Sequence, residues 1–430
     1  MSQIIVHGRV AEGYEPLREE FASVAAAEPG YGAQLAVFIR GNLVADLWAG
    51  DGMTGDALTG LYSITKGAAH LVVALLVQDG VLELDRGVSG YWPEFSGGGK
   101  ETLTLRDLLA HRAGLIGVDG GFSLAELADD RRLAARLAGQ RPFWQPGTGY
   151  GYHAYVAGAL TGEVVRRVTG STIKQIFEQR VRAPYGLDFY LGLPESQEPR
   201  YLPVQPMLLS GAQEAELAAQ QPDPDSLMAV AFNLNASPAT PIADFANSRT
   251  VRSRGQVSAG GVGSARGAAK LYAAMVSEVD GRPPLLTPAT IETFTAPHSG
   301  DQTDLVTGRP RHFLLGFENS SGQYPVLPPT AFGHGGATGS QSLAVPTAGL
   351  SYAYVRRRFL LGAGGGAPEN ERLVGAAVTA DAALTRSAAA SLRGPVGLGV
   401  SAPRHTLAAP ELTGRSTCQS TWCRAAWCCR

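Results

Sequence analysis

The stretch LYSITKGAAHLVVALLVQDG, residues 61–80, joins a serine and a lysine three positions apart to a long apolar run. Its spacing predicts a helix from about Ser63 to Gly80 whose apolar side chains fill every face, so the helix belongs in an interior. Ser63 and Lys66 then share one face, a turn apart. A serine hydroxyl is a weak nucleophile until a base takes its proton, and burial lowers a lysine pKa until its neutral amine can be that base. The same spacing fits a serine helix cap beside a surface lysine. The pair by itself leaves both readings open.

Working outward, QLAVFIR (34–40) and LVADLWAG (43–50) flank Gly41 and Asn42, which reads as a β-hairpin. After residue 80 the pattern turns helical. TLTLRDLLAHRAGL (102–115) opens with Thr104 as N-cap and Asp107 three residues on, as in a capping box. Helical spacing continues through 124–139, 155–170 and 171–181. Residues 202–245 are rich in Pro, Ala and Gln with weak periodicity, which suits a functional loop or lid. A helix over 264–279 and another opened by Pro288 follow. Strands return as RHFLLGF (311–317), SLAVP (342–346) and LSYAYVR (350–356), and a helix over 370–384 closes the ordered part.

Strands at both ends and helices between them predict an α/β fold of the α+β type. An antiparallel sheet is built from the two chain ends and flanked by helices, with a mostly helical lobe inserted. The expected boundaries are 1–62 with 250–383 for the α/β lobe and 63–249 for the helical lobe, the lid-like segment lying within it. Residues 384–430, rich in Ala, Arg, Ser, Gly and Pro, are expected to be a disordered tail.

Composition narrows the function classes. In 430 residues, 44% are hydrophobic and 17% charged, a globular profile rather than a disordered one. The formal net charge is -2 with no basic run, so nucleic acid is not an expected partner. The N-terminus has no signal-peptide pattern, and the most apolar run, AAHLVVALLV, is too short to span a bilayer and is interrupted by His70. A cytoplasmic protein without membrane partners is expected. Cys418, Cys423, Cys428 and Cys429 all lie in the tail, so no disulfide framework holds the body. Their spacing is not that of a zinc knuckle. His7, His70, His111, His153, His298, His312 and His405 show no metal-ligand spacing, and neither a metal nor an organic cofactor is expected.

Two further stretches bear on Ser63 and Lys66. WQPGTGYGYHAYVAGAL (144–160) places Tyr152 four residues after Thr148, behind a Pro-Gly turn. FGHGGATGSQSLAV (332–345) places His334, Gly335 and Gly336 on a strand-like segment. In that order and at those separations, the motifs resemble the serine β-lactamase and penicillin-binding-protein superfamily, most of all its class C β-lactamase-like branch and family VIII carboxylesterases. LLAHRAGL and YWPEF are also similar to family stretches, and the resemblance spans about residues 20 to 380. It implies that Ser63 is acylated, that Lys66 activates it, and that Tyr152 relays protons in acylation and deacylation. Tyr150, two residues earlier, is the competing choice. The implied oxyanion hole is the backbone N–H of Ser63 and of Ala337.

The sequence departs from β-lactamases at the substrate-binding positions. Ala154 stands where the family has an Asn that grips a lactam amide. His334 and Gly335 replace the Lys and Thr of Lys-Thr-Gly, so a permanent cation and a hydroxyl are missing. For His334 a structural role on the strand stays open beside a direct one. A site without those carboxylate-binding groups is expected to take neutral, short-chain acyl esters. β-Lactamase, D-amino-acid peptidase or amidase activity is the alternative within the fold, and a non-catalytic scaffold or filament former the alternative outside catalysis. An α/β-hydrolase is set aside because no Gly-x-Ser-x-Gly elbow occurs.

Overall fold

Ten strands carry the architecture, as the computed structural model describes it over residues 4–50, 52–219, 222–298, 302–360 and 365–392. In chain order they are β1 His7–Val10, β2 Gly32–Ile39, β3 Asn42–Gly50, β4 Thr59–Gly60, β5 Phe189–Tyr190, β6 Val262–Gly263, β7 Glu318–Asn319, β8 Phe332–Gly335, β9 Gln341–Val345 and β10 Leu350–Arg356. Seven form one antiparallel sheet in the order β1-β3-β2-β10-β9-β8-β7. The two chain ends meet where β2 pairs with β10, Leu350 opposite Ile39 through Arg356 opposite Ala33. The expected hairpin is β2–β3, turning at Arg40 and Gly41, both at positive φ.

Alternation along the central strands sorts their side chains onto two faces. Leu35, Val37, Tyr352 and Tyr354 pack with Leu17, Phe21 and Val24 of the Glu15–Ala27 helix and with Leu373 and Val374 of the Glu369–Leu392 helix. Ala36, Phe38, Ala353 and Val355 face the larger core, which holds the Ala265–Val276 and Ile64–Gln78 helices. Both faces are covered, so β2 and β10 are buried along their whole length.

The Ile64–Gln78 helix is the pivot. From Ile64 to Leu76 every residue is buried, Lys66 and His70 included. Around it pack Ala157–Thr169, Ile173–Phe177 and Pro288–Thr295. The short Leu105–Leu109 helix begins with the expected capping box of Thr104 and Asp107. The 124–139 pattern forms two helices, Leu124–Leu127 and Asp130–Gly139, because Asp129 caps a new start. The lid-like segment carries the short helices Gly211–Ala219, Leu227–Ala231 and Ile242–Asn247.

One expected strand is not formed. RHFLLGF makes a single bridge, Phe313 to Glu318, and only Glu318–Asn319 joins the sheet. The Leu314 N–H donates to Phe317 O across a tight turn, and Gly316 lies at φ +77 against the His70 ring, where a Cβ would come within 2.4 Å. The apolar side chains are buried around a turn instead of a pleat.

A second sheet runs in the order β4-β6-β5 beside the start of the buried helix. It ties the residues just before Ser63 to those just after Ser258, and Leu61 N–H donates to Gly261 O at 2.9 Å. The described residues up to Thr385 pack as one unit. The final helix runs to Leu392, and the rest of the expected tail, with its cysteines, lies outside the described residues. Among the described residues no helix is long and apolar enough to cross a membrane.

Candidate active site

Ser63 occupies the N-cap of the buried helix, so its oxygen sits at the positive end of the helix dipole. The residue before it, Tyr62, is held at φ +49, a conformation costly for a bulky side chain. Its surroundings over-determine that geometry. The Tyr62 hydroxyl donates to Ile242 O at 2.9 Å, and its ring meets Phe359 edge-on at 5.4 Å.

Three polar groups from distant parts of the chain converge here. The Tyr152 hydroxyl donates to Ser63 Oγ at 2.6 Å, and Lys66 Nζ lies 3.1 Å from the same oxygen. Lys66 Nζ also donates to Ala154 O at 2.6 Å and to Ser258 O at 3.0 Å. Lys66 is fully buried, and burial lowers its pKa to about 7, with Glu318 pulling upward and Arg311 pushing further down. A neutral amine has two N–H bonds and one lone pair. Two carbonyls take the N–H bonds, which leaves the lone pair for the Ser63 hydroxyl.

Burial raises the Tyr152 pKa, the Glu318 charge adds to that, and Arg311 opposes it. The group is therefore a phenol, a proton donor, at neutral pH. Its ring stacks on Phe313 with centroids 5.8 Å apart and planes 5° from parallel, which fixes the hydroxyl on Ser63. Tyr152 lies in the loop before the Ala157–Thr169 helix, not on it. Tyr150 is turned elsewhere, its hydroxyl donating to the carbonyls of Gln302 and Arg311.

His334 and Gly335 lie on β8, and Gly336 and Ala337 follow it. A Cβ on Gly336 would come within 2.8 Å of Leu61 O, so glycine lets this segment press against the turn that leads into Ser63. A Cβ on Gly335 would meet Gly365 O at 2.4 Å. Among the described residues, neither the Ser63 nor the Ala337 N–H donates to any acceptor. His334 is buried, and burial lowers its pKa to about 4, so the ring is neutral. Its Nδ1 lies 2.9 Å from Gly335 O. The Ala154 side chain offers no polar group; its backbone carbonyl holds Lys66.

Three participants went unnoticed in the sequence. Ser258 sits in QVSAGGV (256–262), whose small residues signal a close approach: Gly261 N–H donates to Thr65 Oγ1 at 2.9 Å, leaving no room for a side chain. Arg311 lies with its guanidinium 4.7 Å from the Tyr152 ring centroid and pairs with Glu318. Burial pushes the Glu318 pKa up, but Arg311, His334, the Gly335 N–H and Lys66 together outweigh it and hold the carboxyl below its usual range. No sequence pattern marks either residue: Arg311 opens the stretch read as a strand and Glu318 directly follows it. His70, His111 and His153 are buried nearby; burial lowers His70 to about 3 and His153 to about 4, and pushes His111 well down, so none is an acid at neutral pH. Among the described residues no group of three or more His, Cys, Asp or Glu is placed to hold a metal ion.

The family model described as Beta-lactamase matches residues 21–376. Among solved structures, EstA from Arthrobacter nitroguajacolicus Rue61a is 41% identical, with a TM-score of 0.81 over 88% of this chain and 99% of that one. A family VIII carboxylesterase is 32% identical, with a TM-score of 0.77 over 87% of this chain and 100% of that one. Among curated proteins, the esterase/beta-lactamase LipL of Mycobacterium tuberculosis is 29% identical over 351 residues, 79% of this chain and 80% of LipL.

Proposed function

This chain belongs to the Beta-lactamase family, and on that premise we propose that it is a serine carboxylesterase that cleaves short-chain, uncharged acyl esters through an acyl-enzyme on Ser63. The observation that carries the reading is Ser63 Oγ held between a phenol at 2.6 Å and a buried amine at 3.1 Å. The names of the esterase/beta-lactamase LipL and of the family VIII carboxylesterase support it.

In the proposed mechanism Ser63 Oγ attacks the ester carbonyl as Lys66 Nζ takes its proton. The carbonyl oxygen becomes an oxyanion that accepts from the Ser63 N–H at the helix N-terminus and from the Ala337 N–H after β8. As the tetrahedral intermediate collapses, the Tyr152 phenol gives its proton to the departing alkoxide, and the Lys66 ammonium restores it. Water then attacks the acyl-enzyme, losing a proton to the same amine, and the Lys66 ammonium passes that proton to Ser63 Oγ as the acyl–oxygen bond breaks. Every group is back in its starting state.

Neutral substrates fit the substitutions. Position 154 gives no side-chain hydrogen bond to a lactam amide and His334 no charge to a carboxylate, so a β-lactam loses two of its anchors. We also propose a two-lobed organisation, 1–62 with 250–383 and 63–249, and a cytoplasmic location, which limited proteolysis and fractionation would test.

The deciding experiment compares turnover of a p-nitrophenyl ester and a chromogenic cephalosporin by the wild type and Ser63→Ala. The ester should be turned over faster, and the variant should be inactive and unlabelled by a fluorophosphonate. Faster cephalosporin turnover would overturn the esterase reading. An active variant would overturn the nucleophile.

A further inference from the structure

The site lacks a lysine at position 334, yet a cation stands beside it. The Arg311 guanidinium lies 4.7 Å from the centroid of the Tyr152 ring, the ring whose hydroxyl touches Ser63 Oγ. Its side chain keeps 21% of its surface exposed. The only hydrogen bond its guanidinium makes among the described residues is to Glu318 Oε1. The other Glu318 oxygen lies 3.9 Å from the neutral His334 ring. Arg311 thus has donors to spare near the reacting oxygen, but its charge is cancelled.

We propose that Glu318 masks Arg311, and that this masking makes the site select uncharged acyl groups: remove the carboxylate's charge, and Arg311 becomes the anchor for a substrate carboxylate. The proposal rests on the ester-hydrolase reading above and names what decides its substrate class.

The physical argument is one of net charge. A substrate carboxylate beside an isolated guanidinium gains a direct ion pair with charge-assisted hydrogen bonds. Beside a guanidinium already paired with Glu318 it meets two opposite charges at almost the same distance, and the attraction largely cancels. The substrate carboxylate also loses its water on entering the cleft, and nothing then repays that cost. An uncharged acyl chain pays no such penalty. The pair also joins Arg311 to the start of β7, so a purely structural brace is the competing explanation.

The two explanations differ in one ratio. The probes are p-nitrophenyl butyrate and mono-p-nitrophenyl succinate, equal in acyl carbon number and differing by a terminal carboxylate. The readout is the ratio of kcat/KM for the anionic ester to that for the neutral one, with active sites counted by a fluorophosphonate. Glu318→Gln should raise the ratio at least tenfold, while Glu318→Asp, which keeps the charge, should leave it near the wild-type value. Arg311→Gln, which leaves Glu318 uncompensated, should lower it. The double variant removes both charges, avoids a lone buried ion, and should lose the gain of Glu318→Gln.

An unchanged ratio in Glu318→Gln overturns the proposal, as does a gain that survives in the double variant. If Glu318→Gln does not fold, the proposal stands or falls on Arg311→Gln, and an unlowered ratio there overturns it. Wild-type protein that hydrolyses neither ester would overturn the esterase reading together with the proposal. Turnover with the wrong ratios overturns the proposal alone.

Discussion

The Tyr152 phenol donates to Ser63 Oγ across 2.6 Å, joining two residues 89 positions apart in the chain. With Lys66 Nζ 3.1 Å away, the serine oxygen has a donor on one side and an amine lone pair on the other. The proposed division of roles, phenol as acid and amine as base, rests on burial acting in opposite directions on the two groups.

Tyr152→Phe should separate the two tyrosines. It removes the proton delivered to the leaving alkoxide and keeps the ring that stacks on Phe313. kcat for a p-nitrophenyl ester should fall by about 10²–10⁴ with KM little changed. Tyr150→Phe loses hydrogen bonds to the Gln302 and Arg311 carbonyls instead. It should cost about 1–3 kcal/mol of stability and leave kcat within a few-fold of the wild type. Steady-state kinetics and urea unfolding on both variants check this.

The pH dependence should report Lys66. The amine is a base only when deprotonated, and its pKa is about 7. kcat/KM should therefore fall tenfold per unit as pH drops below about 7 and level off above it. Burial sets that value, Glu318 raises it and Arg311 lowers it, so Glu318→Gln should move the midpoint to lower pH and Arg311→Gln to higher pH. The buried histidines lie too low to produce this limb, since His334 and His153 titrate at about 4. A midpoint that ignores both variants would contradict the assignment.

Lys66→Met should trade activity for stability. The folded-state pKa of about 7 lies below the ordinary 10.5. Between those values the unfolded chain binds a proton that the native protein does not. Wild-type stability should therefore rise with pH from 7 towards 10.5, by at most about 1.4 kcal/mol per unit. The methionine variant lacks that contribution. Its advantage over the wild type should be larger at pH 6 than at pH 9, as denaturant unfolding at the two pH values would reveal, and its esterase activity should be lost.

Gly336→Ala tests the oxyanion site. The new Cβ would lie 2.8 Å from Leu61 O and must push the Ala337 N–H away from that of Ser63. kcat should drop by about 10²–10³, the scale of losing one oxyanion donor, while fluorophosphonate labelling of Ser63 slows in parallel. Wild-type kcat in this variant would remove Ala337 from the site.

Much of this was legible in the chain because it is local. The capping box of Thr104 and Asp107, the β2–β3 hairpin and the all-apolar helix after Ser63 each depend on residues within a turn or two of one another. So does the Ser63–Lys66 spacing. RHFLLGF shows the limit: its apolar content reads as a strand, but Gly316 packing against His70 turns it. Local pattern carries no information about that contact.

The amino-acid order alone determined the antiparallel sheet from two chain ends, the helices between them and the Ser63–Lys66 spacing, since periodicity and short spacing act through nearby backbone. Only the tertiary structure decided that the phenol of Tyr152 and not of Tyr150 reaches Ser63, that Ala154 and Ser258 hold the amine by their carbonyls, and that Arg311 and Glu318 stand beside His334. These contacts join segments up to about 190 residues apart, and the pKa values that define the chemistry come from burial. Burial belongs to the packed molecule, not to any stretch of its sequence.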